Sequence, residues 1–153
     1  MKVLVTGAYG FVGKNLCATL KNIADGKDKS YNIDSDITVF EYDLGTDKAL
    51  LDTYCKECDF VFHLAGVNRP ETEEEFMEGN FGFSSTLLDT LKKYNNTCPI
   101  MISSSIQAEL DNPYGRSKKA GEDLMFAYGE ETGAKVMVYR LPNLFGKWSR
   151  PNY

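Results

Sequence analysis

Short apolar runs alternate along the chain with longer segments in which apolar residues recur every three or four positions. The short runs are rich in β-branched and aromatic residues, which predicts strands, and the longer segments have the periodicity of amphipathic helices. The predicted strands span residues 2–6, 36–42, 59–64, 99–103 and 135–140. The predicted helices span residues 14–22, 47–55, 73–94 and 114–131. This alternation predicts the α/β fold class.

The predicted strands are apolar on both faces, which is typical of a parallel sheet covered by helices on both sides. Strands that alternate with helices join in parallel through right-handed crossovers. We therefore expect a Rossmann-like, doubly wound parallel sheet with helices on both faces. Residues 142–153 follow no regular pattern.

The composition indicates one globular domain, with 153 residues of which 42% are hydrophobic. The formal net charge is -5 and no basic run offsets it, so neither nucleic acid nor an anionic membrane is expected as a partner. The first apolar stretch is interrupted by three glycines and Lys14, so it predicts neither a signal peptide nor a membrane span. We therefore expect a cytoplasmic protein.

Four cysteines include a Cys-x-x-Cys pair, Cys55 and Cys58, whose spacing suits a redox pair or half of a zinc site. Zinc would need two further ligands, and the chain has one histidine, His63, inside a predicted buried strand. A redox pair usually begins a helix, where the dipole lowers a thiol pKa, but this pair ends one. We interpret the cysteines as incidental cytosolic thiols and His63 as a packed, hydrogen-bonded residue, and we expect no metal.

Three glycines, Gly7, Gly10 and Gly13, separate the first predicted strand from the first predicted helix. Such a loop points backbone N–H groups and the positive end of the helix dipole at one place, which suits a pyrophosphate. Gly7 would allow the tight turn, Gly10 the approach of the phosphates, and Gly13 the close packing of helix on strand. At this position the motif predicts a dinucleotide site.

An acidic residue, Asp43, ends the second predicted strand. In dinucleotide-binding folds a carboxylate there binds the ribose hydroxyls, and its charge would favour NAD over NADP. Asp43 could instead face solvent or cap the turn that leads into the next helix. The sequence leaves both interpretations open.

Tyr114 and Lys118 are four residues apart at the start of a predicted helix, so their side chains should share one face. A cation beside a phenol favours the phenolate and lowers its pKa from about 10, which would make Tyr114 a usable proton donor or acceptor. Three serines, 103–105, lie at the carboxyl end of a predicted strand, where parallel sheets bind ligands. A serine hydroxyl there could polarise a substrate carbonyl.

Together these segments resemble the extended short-chain dehydrogenase/reductases that act on nucleotide sugars. The matching segments are TGAYGFVG, HLAG, Asn80, the serines 103–105, Tyr114-x-x-x-Lys118 and RLPNLFG. The stretches AGVNRPE, SSSIQAELDNPYG and RLPNLFGKWSRPNY are similar to the amino-terminal domain of bacterial capsular polysaccharide enzymes that reduce a UDP-4-keto-6-deoxy-hexosamine. The resemblance implies residues 1–146 as an NAD(P)-binding domain and residues 147–153 as the start of a truncated substrate-binding region.

The same resemblance implies a hydride transfer to C4 of a keto sugar, with site residues at matching positions. The implied catalytic residues are Ser105, Tyr114 and Lys118. The implied cofactor-binding residues are Gly7, Tyr9, Gly10, Phe11, Val12, Gly13, Asp43, Leu44, Leu64, Ala65, Gly66, Tyr114, Lys118 and Leu141. The implied substrate-binding residues are Ser104, Ser105 and Asn143, for a UDP-sugar.

The resemblance implies NADPH as the cofactor, with NAD as the alternative that Asp43 favours. Arg69 could supply positive charge near a phosphate, but an arginine in a loop is more often simply exposed to solvent. Dehydratases of this family have an Asp-Glu pair after the serines, whereas Ile106 and Gln107 follow here, so dehydration is disfavoured. A 4-epimerase, or a non-catalytic NAD(P)-binding module, stays open. Family members commonly dimerise through helices such as the predicted 73–94 and 114–131, so a homodimer is also expected.

Overall fold

Five parallel strands form one sheet in the computed structural model, which describes residues 1–33, 36–66, 74 and 78–149. The strands are β1 (Lys2–Thr6), β2 (Thr38–Tyr42), β3 (Phe60–His63), β4 (Ile100–Ser105) and β5 (Val136–Leu141). Their order across the sheet is β2-β1-β3-β4-β5, and every neighbouring pair is parallel. The predicted Rossmann-like parallel sheet is confirmed.

The helices pack on both faces of this sheet, as predicted. They are α1 (Phe11–Ala24), α2 (Ala49–Glu57), α3 (Phe83–Lys93) and α4 (Pro113–Thr132). On one face, side chains of β1 such as Val3 and Val5 pack against Cys17 and Leu20 of α1. On the other face, residues such as Leu4 and Ile100 pack with side chains of α2, α3 and α4. Because side chains alternate across a strand, one strand supplies both halves of the core.

Two short helical segments differ from the predicted elements. One long helix was predicted over 73–94, but a π-helix, Glu78–Gly82, precedes α3. Before this π-helix, the structure describes only Glu74 of the predicted helix, and Glu74 is exposed. A 3₁₀ turn, Ile106–Glu109, follows β4, and Ser105 caps it by accepting the N–H of Gln107. Such one-turn segments have too little periodicity to be predicted from a sequence.

Helix α4 begins at Pro113, one residue before its predicted start. The side chain of Asn112 caps it by accepting the N–H of Gly115 at 2.7 Å. Proline suits the first helical position because that position needs no N–H donor. The Asn-Pro pair therefore fixes where α4 starts, and with it the positions of the two side chains that follow.

Strands β2 and β3 are the two neighbours of β1 in the sheet. The chain therefore crosses from β1 to β2 in one direction and from β2 past β1 to β3 in the opposite direction. Successive crossovers therefore diverge between β1 and β3, and such a switch point opens a crevice at the carboxyl ends of the strands. One strand, β2, lies between α1 and β3 in the part of the chain that the structure describes. No helix within that part is long and apolar enough to cross a membrane.

Candidate active site

A cleft of about 1430 Å³ lies at the carboxyl ends of the strands. Its lining includes every described residue that the sequence predicted for the site. These are Gly7, Tyr9, Gly10, Phe11, Val12, Gly13, Asp43, Leu44, Leu64, Ala65, Gly66, Ser104, Ser105, Tyr114, Lys118, Leu141 and Asn143. The fold thus brings together residues that are up to 136 positions apart, from Gly7 to Asn143.

The glycine loop is built into the end of the sheet. Gly7 has a φ of +70°, and a Cβ there would lie 2.7 Å from the backbone nitrogen of Ala65, just after β3. A Cβ on Gly13 would overlap the carbonyl oxygen of Gly7. The loop therefore follows the strand end closely and delivers α1 directly into the cleft. These two contacts agree with the turn and packing roles predicted for Gly7 and Gly13.

The amino terminus of α1 has no side-chain cap and no acidic residue in its first turn. The first N–H groups of a helix have no partner within the helix, and the dipole adds partial positive charge there. Both features suit a bound diphosphate, and the glycine loop leaves this end accessible from the cleft. The residues present therefore fit the pyrophosphate of a dinucleotide.

Asp43 joins the end of β2 to the glycine loop. Its carboxylate accepts the N–H of Tyr9 at 2.7 Å through Oδ2 and that of Leu44 at 2.8 Å through Oδ1. Its own N–H donates to Thr46 Oγ1 at 2.9 Å, which closes the turn. The turn-capping interpretation is thus realised, and the same side chain also lines the cleft. A ribose contact stays a prediction.

Tyr114 and Lys118 occupy one face of α4, as predicted from their spacing. The Lys118 Nζ lies 5.6 Å from the centre of the Tyr114 ring. Burial lowers the pKa of Lys118 below its ordinary value, because an ammonium loses hydration there. An ammonium beside a phenol stabilises the phenolate, so the pair can release or accept a proton at the cleft.

The serines at the end of β4 have different partners. Ser104 Oγ donates to Glu122 Oε1 at 2.6 Å, so its proton is directed at α4. Ser105 Oγ accepts the N–H of Gln107 at 3.1 Å, which leaves its own proton available for a ligand. Both residues are buried, and both contribute to the cleft lining. The hydrogen bonding favours Ser105 as the donor to a substrate oxygen.

Glu122 and Arg140 were not predicted from the sequence. Glu122 is 1% exposed, and Arg140 contacts it through Nε at 2.8 Å and Nη2 at 2.7 Å. Burial by itself raises the pKa of Glu122, but the hydrogen bonds from Arg140 and Ser104 outweigh it and hold the pKa below its ordinary value. The available signal was an acidic residue four positions after Lys118, on the face of α4 that should be buried.

His63 is a packed, hydrogen-bonded residue, as predicted. It is 1% exposed, its Nδ1 lies 2.7 Å from Thr6 Oγ1, and its Nε2 lies 2.7 Å from Ser84 Oγ. Burial, assisted by the charge of Lys118, lowers the pKa of His63 to about 3. The imidazole is therefore neutral at physiological pH and ties the end of β1 to α3.

The thiol contact in the structure does not follow the Cys-x-x-Cys spacing. Cys58 Sγ lies 3.8 Å from Cys98 Sγ, and all four cysteines are free. Cys55 and Cys58 belong to the apolar core, with Cys58 at the carboxyl end of α2. No group of three metal-binding side chains occurs within the described residues.

The structure does not test the roles of Arg69 and Asn80. Arg69 lies outside the described residues, and Asn80 is described only through its place in the π-helix. Conversely, the cleft lining contains polar residues that were not predicted, among them Thr46, Lys48 and Gln107. Each follows a predicted site residue by two to five positions. Because loop residues follow no periodic pattern, the sequence does not show which of them reach the cleft.

Comparison with known proteins assigns the family. The model of the "NAD dependent epimerase/dehydratase family" matches residues 3–153. The chain belongs to this family. Its cofactor chemistry is therefore that of an NAD(P)-dependent family.

The chain is also similar to individual proteins. It is 46% identical, over its whole length, to the UDP-2-acetamido-2,6-beta-L-arabino-hexul-4-ose reductase of Pseudomonas aeruginosa, of which it covers 38%. Its structure matches the crystal structure of the capsular polysaccharide assembling protein CapF from Staphylococcus aureus, with 46% identity and a TM-score of 0.81 over all of this chain and 38% of that one.

A more distant structure, RMD from Pseudomonas aeruginosa complexed with NADPH, shares the fold, with 24% identity and a TM-score of 0.76 over 100% of this chain and 58% of that chain. The chain spans about two fifths of the length of the reductase and of CapF.

Proposed function

We propose that the protein containing this chain reduces a UDP-activated 4-keto-6-deoxy-hexosamine for capsular or surface polysaccharide synthesis, in the cytoplasm. The observation that carries the proposal is the convergence of Ser105, the Tyr114–Lys118 pair and the glycine loop on one cleft. The 46% identity to a UDP-keto-sugar reductase supports the substrate class. In this proposal residues 1–146 bind the cofactor, residues 147–153 begin the region that binds the sugar, and the protein acts as a homodimer.

The cofactor would supply a hydride to C4 of the sugar. The glycine loop and the first turn of α1 would hold its diphosphate, and Asp43, Leu44 and Leu64–Gly66 would line the adenosine side. Ser105 donates a hydrogen bond to the C4 carbonyl oxygen and polarises it. Tyr114 gives its proton to the same oxygen as negative charge develops there, and Lys118 stabilises the resulting phenolate.

Asn143 lies on the lining beyond β5, where it can donate its amide N–H groups to the diphosphate of the UDP-sugar. Leu141 and Pro142 lie beside it and contribute apolar surface. The placement favours a ligand whose anionic part lies near β5 and whose sugar reaches Ser105.

We infer NADPH as the preferred cofactor. Lys48 also lines the cleft, five residues after Asp43, and supplies positive charge on the side assigned to the adenosine. The Asp43 carboxylate accepts two backbone N–H groups, which partly offset its repulsion of a 2′-phosphate. NAD remains the alternative, which Asp43 would favour if these N–H groups did not offset its negative charge.

The direct test is a reduction assay on the full-length protein with a UDP-4-keto-6-deoxy-hexosamine and NADPH. A reductase consumes NADPH in a one-to-one ratio with the substrate, whereas a 4-epimerase causes no net consumption. Tyr114→Phe should abolish turnover while NADPH still binds, and Tyr31→Phe, at an exposed tyrosine outside the cleft, should not. A protein that binds NADPH but leaves every UDP-keto-sugar unchanged would be a binding module, and the proposal would be wrong.

A further inference from the structure

A buried carboxylate lies directly behind the proposed catalytic residues. Glu122 is 1% exposed and accepts three hydrogen bonds, one from Ser104 Oγ and two from the guanidinium of Arg140. Its own helix carries Lys118 one turn earlier and Tyr114 two turns earlier. A buried charge is expensive to maintain unless every acceptor site is used, and a two-pronged arginine contact is the strongest way to use them.

The Arg140 side chain extends the connection to the segment after Ser105. Its Nη1 donates to Glu109 Oε1 at 2.7 Å, and Glu109 belongs to the 3₁₀ turn that Ser105 caps. Arg140 itself lies on β5, opposite Ser104 of β4 and three residues before Asn143. One guanidinium therefore joins α4, the 3₁₀ turn and β5, and each of these elements carries a proposed site residue or adjoins one.

The start of α4 is also pressed against the same turn. A Cβ on Gly115 would overlap the carbonyl oxygens of Gln107 and Leu110. The backbone beside Tyr114 is thus in direct contact with the backbone beyond Ser105. No side chain lies between the two that could change its conformation to absorb a shift. At this contact, a small shift of α4 along β4 would change the separation of the Ser105 hydroxyl from the Tyr114 phenol.

We infer that Glu122 and Arg140 are positioning residues that hold the Ser105 hydroxyl and the Tyr114–Lys118 pair at a fixed separation. Glu122 has a second effect, because it accepts the hydrogen bond from the Ser104 hydroxyl and leaves Ser105 as the serine that can donate to the substrate. This inference rests on the proposed function for the identity of the reacting groups. The geometry of the network itself does not depend on that function.

The test uses the full-length protein, three single variants and one double variant. Glu122→Gln keeps the size of the side chain and removes its charge, Arg140→Lys keeps the charge and removes the two-pronged contact, and Asp123→Asn is the matched control. Asp123 is the next residue on α4, but its ion pair with Lys119 is exposed to solvent. The measurements are kcat and KM, the Kd for NADPH from its fluorescence, and the melting temperature.

We expect Glu122→Gln and Arg140→Lys to lower kcat per folded molecule by about 10- to 100-fold, because a misplacement of about 1 Å has an effect of this size. The Kd for NADPH should change less than about threefold, and Asp123→Asn should leave all values unchanged. The double variant Glu122→Gln/Arg140→Lys should lose no more kcat than the worse single variant, since each substitution breaks the same contact between Glu122 and Arg140. A purely structural network would lower the melting temperature and leave kcat per folded molecule within twofold, which would overturn the inference.

A structural readout separates this inference from the proposed function. In crystals of Glu122→Gln, the distance between Ser105 Oγ and Tyr114 Oη should change by more than about 0.5 Å, the tolerance of a catalytic arrangement. If the native protein reduced no UDP-keto-sugar while this distance still changed, the function would fail and the positioning role would stand. An unchanged distance in both Glu122→Gln and Arg140→Lys would contradict the positioning role, whatever reaction the protein catalyses.

Discussion

The Lys118 ammonium lies 5.6 Å from the centre of the Tyr114 ring, and burial holds its pKa below 10.5. A lysine whose pKa is lowered in the folded state destabilises the fold while it stays charged. This cost is complete below the lowered pKa and disappears as the pH rises toward the unfolded value. The charge of Lys118 therefore does not stabilise the fold, which agrees with the proposed role of this residue in chemistry.

Replacement of Lys118 by methionine should therefore separate activity from stability. We expect Lys118→Met to lower kcat by about 100-fold, because the phenolate loses its cation, and to leave the melting temperature at neutral pH unchanged or higher. In the native protein, kcat should fall as the pH rises through the lowered pKa of Lys118. A matched change at the exposed Lys119 should alter neither quantity. A large loss of melting temperature in Lys118→Met would contradict this account.

The serines should respond unequally to replacement by alanine. Ser105→Ala removes the hydroxyl whose proton is available to a ligand, and we expect kcat to fall by about 10²- to 10³-fold. Ser104→Ala removes a hydroxyl that donates its hydrogen bond to Glu122 rather than to a ligand. We therefore expect kcat to change only a few-fold and the free energy of unfolding to fall by about 1 kcal/mol. Steady-state kinetics and urea unfolding of the two variants measure these effects. The reverse ranking of kcat would make Ser104 the substrate donor.

The sequence predicted the parts of the site that depend on local spacing. Tyr114 and Lys118 share a face because four residues make about one helical turn, and the glycine loop is recognised between one strand and one helix. The partners of Ser104 and Asp43 could not be predicted, since Glu122 is 18 residues from Ser104 and Tyr9 is 34 from Asp43. Such contacts depend on tertiary packing, which carries no short-range pattern.

Cofactor preference should depend on Lys48. If its ammonium contacts a 2′-phosphate, Lys48→Gln should raise the Kd for NADPH by about tenfold and leave the Kd for NADH unchanged, since NADH lacks that phosphate. Fluorescence titration with both nucleotides measures the ratio. Lys56→Gln is the matched control, because Lys56 is an exposed lysine in the last turn of α2, the helix that begins one residue after Lys48, and is not part of the cleft lining. An equal effect of Lys48→Gln on both nucleotides would remove Lys48 from cofactor discrimination.

His63 should make the fold sensitive to acid. Its pKa is about 3 in the folded protein and 6.5 ordinarily, so between these values the unfolded chain binds a proton that the native chain does not. The free energy of unfolding should therefore decrease as the pH falls from 6.5 to 3, and this one group contributes on the order of 3–5 kcal/mol over that range. Urea unfolding followed by the fluorescence of Trp148, the one tryptophan, measures this dependence. His63→Gln can keep hydrogen bonds to Thr6 and Ser84 without titrating, so the stability difference between native protein and variant should narrow as the pH falls. Parallel stability curves from pH 6.5 to 3 would show that His63 is protonated in the folded state.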